Sequence, residues 1–120
     1  MHIRKTTFTQ RMEAAGVCDS RGVAVCVTAA ELPGGEQGLC LLGLQDSVLS
    51  VYEVDISANV GRKICEVPLK TVSEMKTSEN RLLETIRGYS LRLVSDGKVY
   101  AFKNCYQHRA EMDVIRSEVR

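Results

Sequence analysis

Thiols and imidazoles do much of the chemistry available to a small protein at neutral pH. This chain carries five cysteines, at positions 18, 26, 40, 65 and 105, and two histidines, His2 and His108. A cysteine nucleophile needs a base or an electropositive setting to become a thiolate. Cys105 and His108 stand three residues apart, a spacing that places both on one helix face, but a zinc site takes four ligands and no second pair follows at a familiar spacing. No Cys-x-x-Cys occurs, and Cys26, Cys40 and Cys65 lie inside apolar, strand-like runs. The cysteines are therefore expected to be reduced, structural residues in a reducing compartment, with no metal or cofactor.

Other catalytic constellations are missing. No pattern places a Ser–His–Asp set or a pair of carboxylates with opposed roles. Gly34-Gly35 lies in a turn-rich loop and lacks the lysine and following helix of a phosphate loop. The sequence points away from an enzyme. Sixteen Lys and Arg against fifteen Asp and Glu give a net charge of +1, too little to collect nucleic acid or an anionic membrane by overall field. With 120 residues, 44% of them apolar and 26% charged, the chain has the makeup of one soluble domain. No apolar run approaches the roughly 20 residues that span a bilayer, and no signal segment opens the chain, so a cytoplasmic location is expected.

The elements begin with a helical extension over residues 1–17. Thr7-Phe8-Thr9-Gln10 fits a capping box, and Phe8, Met12 and Ala15 make one apolar stripe that should lie on a sheet. Strands are expected over 21–103. Val23, Val25, Val27 and Ala29 alternate along the first, which ends in the loop Glu31–Gly38. Leu39–Leu44 and Val48–Ile56 follow, and a turn at Asp46-Ser47 would set Leu42 opposite Val51 and Leu44 opposite Leu49. The other face of that pair carries Leu39, Leu41, Tyr52 and Val54, so both sides are apolar. Arg62–Leu69 must end or bend at Pro68, which cannot donate to a ladder, and its strand could be a sheet edge. Thr71–Thr77 can continue beyond the bend. Over Ser78–Arg87, Leu82, Leu83 and Ile86 suit a helical turn or a strand equally.

Asp96-Gly97 is a strong hairpin signal. Pairing outward from it puts Leu91, Leu93, Tyr100 and Phe102 on one face and Ser90, Arg92 and Lys103 on the other. Asn104 can cap a last helix over 104–119, with His108, Met112, Ile115 and Val119 on its apolar side and Arg116 on its solvated side. No internal repeat divides the chain.

This order of elements resembles the pleckstrin-homology-like superfold, especially small bacterial PH and GRAM-like domains. Ile64-Cys65-Glu66-Val67-Pro68-Leu69-Lys70-Thr71-Val72 is similar to that family's strand junction. Leu91–Phe102, with its Asp96-Gly97-Lys98 turn, is similar to its last hairpin. The N-terminal helix is additional, and the tryptophan common in the closing helix of eukaryotic members is missing. The resemblance implies a seven-stranded antiparallel, two-sheet, partly open barrel capped by the C-terminal helix. It further implies a non-enzymatic binding or assembly module for a protein or peptide partner, or for a second copy. Lipid or another anionic ligand is the alternative, disfavoured because Glu31–Gly38 holds two glutamates and no Lys or Arg where lipid-binding members hold phosphates. The remaining anion-site candidates are Arg92 and Lys103, diagonal neighbours on the last hairpin. Nucleic acid is not expected as a partner, since the aromatic residues mostly face the core.

Overall fold

The structure is a computed structural model that describes residues 6–81, 87–103 and 109–119. Its elements are α1 (Thr7–Ala14), β1 (Ala24–Glu31), β2 (Gly38–Gln45), β3 (Val48–Val54), β4 (Val60–Pro68), a 3₁₀ turn (Leu69–Thr71), β5 (Val72–Arg81), β6 (Arg87–Ser95), β7 (Lys98–Lys103) and α2 (Arg109–Glu118). The ambiguous stretch is strand at both ends, while residues 82–86 lie outside the described residues. So do Asn104, Cys105 and His108, and with them the expected helix cap and the Cys–His pair.

All pairing is antiparallel, and the order is β4-β3-β2-β1-β7-β6-β5. The strands make one open sheet where two sheets were expected. The reason is β1, which pairs with β2 on one side and β7 on the other and has a register irregularity between Ala29 and Glu31 where the ladder with β7 bends. The two edge strands, β4 and β5, are joined only by the turn Leu69–Thr71. Laid flat, seven strands would hold their edges about 29 Å apart, whereas the step from Pro68 to Val72 reaches at most about 14 Å. The sheet must therefore curl until its edges approach at this corner. Thr71 Oγ1 and Ser95 Oγ share a hydrogen bond of 2.6 Å there, and the Leu69 backbone N–H donates to the Ser47 carbonyl at 2.7 Å.

Both anticipated registers are present. Leu42 pairs with Val51 and Leu44 with Leu49, while Leu91 pairs with Phe102 and Leu93 with Tyr100. Asp96 and Gly97 have φ of 51° and 75°, which suits a type I′ turn, whereas at Asp46-Ser47 only Asp46 turns positive, at 55°. Inside the curl lies the main core, from Val23, Val25 and Val27 through Leu91, Leu93 and Phe102, and Met112 and Ile115 of α2 are buried within it.

A second cluster explains why β2 and β3 are apolar on both faces. Met12, Val17, Cys18, Ala24 and Leu41 pack together on the outer side, with Phe8, Tyr52 and Val54 against them. α1 and the segment after it cover this half of the outer face. The helix starts one residue earlier than its sequence suggests. Thr6 Oγ1 accepts from the Thr9 backbone N–H at 3.2 Å, and Thr9 Oγ1 accepts from the Thr6 backbone N–H at 2.8 Å. The short Thr9 hydroxyl serves from the buried side, leaving Gln10 in solvent. Ala15 is exposed as well, and Val17 and Cys18 complete the apolar face in its place.

Candidate functional site

Among the described cysteines, Cys18 and Cys40 are buried and Cys26 and Cys65 partly so. Burial pushes the Cys26 thiol above its ordinary pKa, and burial together with the nearby Glu36 carboxylate does the same to Cys65. A thiol raised in this way is a poor nucleophile at neutral pH. Among the described residues, no group of three or more His, Cys, Asp or Glu is placed to hold a metal ion.

The loop after β1 is self-contained. A β-carbon on Gly34 would lie 2.5 Å from Oε1 of Glu36, so the chain's own carboxylate occupies the space over that glycine. This leaves the Gly34-Gly35 turn poorly suited to an outside anion.

A polar recess lies at the opposite corner, among Asp19, Ser20, Arg21, Asp46, Ser47 and Glu118. Arg21 binds both Asp19, at 2.8 Å, and Glu118 near the end of α2, and it also donates to the Asp46 carbonyl. Ser47 Oγ donates to Glu118 at 3.2 Å, and the Asp46 backbone N–H donates to Asp19 at 2.8 Å. Burial alone would raise the Asp19 carboxyl, but the guanidinium and backbone N–H of Arg21 and the N–H of Asp46 outweigh it and hold the pKa below the ordinary value. Asp19 and Glu118 raise Arg21 in return, against its own burial. Asp19 is therefore ionised at neutral pH, and the contacts of Arg21 and Ser47 with Glu118 clamp α2 to the β2–β3 turn.

A second concavity is a groove of about 620 Å³ along β5, β6 and β7. The alternation of the strands turns Lys76, Arg92 and Lys103 away from the core that holds Leu91 and Phe102. Lys76 pairs with Arg92, Arg92 with Ala101, and Lys103 stands two residues beyond Ala101 on β7. The two anion-site candidates read from the sequence thus lie in one groove, and Lys76 and Arg116 join them. Arg116 reaches it from α2 and donates to Thr77 Oγ1. Glu74 borders it, with Oε1 3.3 Å from Lys76 Nζ and 3.4 Å from Arg92 Nη1. Among the described residues, no carboxylate lines it. Lys76 was not legible as a partner of Arg92 because the register across Pro68 cannot be read from periodicity. Arg116 looks like a plain solvated helix residue until α2 is packed near β5.

No protein-family model matches this chain, and no curated protein matches it. No helix among the described residues is long and apolar enough to cross a membrane.

Proposed function

We propose that the chain is a non-enzymatic binding module of pleckstrin-homology-like build, a partly open barrel with α2 seated in its interior, and that its ligand is a segment of a protein partner. Seven antiparallel strands followed by a helix that buries Met112 and Ile115 support the family reading. The observation that carries the function is the division of the outer sheet face. Over β1, β2 and β3 it is covered by Met12, Val17 and the rest of the α1 layer. Over β5, β6 and β7 it carries the exposed Lys76, Arg92 and Lys103, beside a groove that residues of both sheet faces and Arg116 of α2 line together. The raised pKa of Cys26 and Cys65 makes both poor nucleophiles, and Asp19 is already ionised at neutral pH. Pairing of two copies along β4 is opposed by its exposed Arg62, Lys63 and Glu66.

The cations of the groove favour a second reading, an anionic lipid headgroup. Against it, the exposed large apolar side chains among the described residues, Leu39 and Ile56, stand on β2 and the β3–β4 turn, and neither lines the groove. A photo-crosslinking side chain at Ser90, in the groove, compared with one at Glu66 on the β4 edge, tests the proposal in the native cell. Polypeptide adducts from position 90 are expected. Adducts confined to position 66, or lipid adducts alone at 90, would overturn it.

A further inference from the structure

We infer that the groove along β5–β7 binds an acidic, extended peptide segment with carboxylates at alternate positions; this rests on the protein-partner reading above. Three features of the groove point to such a ligand. The first is its charge. Lys76, Arg92, Lys103 and Arg116 line it, and among the described residues no carboxylate does.

The second is spacing. Arg92 and Lys103 are diagonal neighbours across β6 and β7, a relation that separates residues by about 7–8 Å and their β-carbons by somewhat less. Alternate side chains of an extended peptide recur about every 6.8 Å. Successive carboxylates on one face of such a peptide therefore meet successive cations. A single phosphate would need its donors to converge on one anion at about 2.7–2.9 Å. Lys76 and Arg92 converge on one oxygen of Glu74, while Lys103 stands on β7 and Arg116 on α2, where it donates to Thr77.

The third is an internal precedent. The Glu74 carboxylate already bridges Lys76 and Arg92, at 3.3 and 3.4 Å. An incoming carboxylate would make the same contacts and compete with it. Nucleic acid fits less well, because Phe102, the aromatic residue that lines the groove among the described residues, is only 1% exposed and offers no stacking surface.

The test is chemical-shift mapping and fluorescence anisotropy with a capped peptide of alternating Glu and Ser, its Gln–Ser counterpart, inorganic phosphate, and phosphatidylserine-containing vesicles. The acidic peptide should bind with a salt-sensitive affinity and shift amides of β5–β7. Arg92→Glu with Lys103→Glu, both exposed and checked by thermal melting, should weaken it about tenfold or more, which is about 1.4 kcal/mol. Glu74→Gln should tighten it several-fold by releasing two cations. Equal binding of the Gln–Ser peptide in the groove would overturn the acidic inference and leave the protein-partner reading standing. Phosphate shifting the same amides as strongly as the peptide would replace the peptide with a small anion. Sedimentation with vesicles while neither peptide binds would overturn both readings.

Discussion

A β-carbon at Gly43 would stand 2.3 Å from the carbonyl oxygen of Val17. That oxygen belongs to the segment between α1 and β1, which lies directly across β2. The Asp19 backbone N–H donates to the Leu44 carbonyl at 3.0 Å, and the Leu44 N–H donates to Val23 at 3.0 Å. Only a residue without a side chain lets the two backbones come this close. Gly43→Ala should destabilise the protein by about 1–3 kcal/mol, the usual cost of overpacking, by lifting this segment off the sheet. Denaturant melts measure it, and Cys18 alkylation should speed up in the same variant.

Gly97→Val should cost a similar amount, on the order of 1–3 kcal/mol, for a different reason. Nothing lies within 4 Å of a β-carbon there, so the penalty comes from φ of 75° alone. Gly97→Asn should recover most of the loss, since Asn tolerates positive φ. Equal stability of the Val variant in thermal melts would contradict the type I′ turn.

Arg21→Met should destabilise by about 1–2 kcal/mol, because it leaves Asp19 and Glu118 without their shared cation in a partly exposed site. Because the Asp19 pKa is lowered on folding, its contribution is present above the unfolded value and is lost as the pH falls through the folded one. Asp19→Asn should therefore be less stable than wild type at neutral pH, and the difference should shrink below about pH 4. Melting temperatures of both proteins across that range measure it, and a constant difference would refute it.

Thiol labelling of the native protein should be slow at Cys26 and Cys65 and slower still at the buried Cys18 and Cys40. The raised pKa values of the first pair lower the thiolate fraction, so their labelling should accelerate as the pH rises. Mass spectrometry after timed alkylation resolves the sites. Rapid labelling of Cys65 at neutral pH would contradict its burial beside Glu36.

The hairpin partners Leu91–Phe102 and Leu42–Val51 are legible because a turn and a period-two pattern agree on one register. The same logic shows Arg92 and Lys103 leaving the core together. It fails at Pro68, where the period is interrupted, so the pairing of Lys76 with Arg92 follows only from the folded sheet. The clamp at Arg21 is equally hidden, since Asp19, Asp46 and Glu118 meet only when α2 packs beside the β2–β3 turn. The continuity of the sheet depends on β1 holding a partner on each side, which no local pattern records. The apolar outer face of β2 and β3 did leave a trace, as a strand pair with no polar side, and α1 accounts for it.

The turn Leu69–Thr71 is also a seam in the chain's connectivity. β1 through β4 form one meander before it, and β5 through β7 form another after it, so each hairpin ladder lies wholly on one side. The ladder that crosses is β1 with β7, where Thr28 meets Lys103. Folding thus asks for local hairpins and then one long closure, the step whose loop entropy weighs most on the rate. A backbone cut within the turn would sever no ladder, and the two pieces would keep matching free edges, β1 on one and β7 on the other, by which to reassociate.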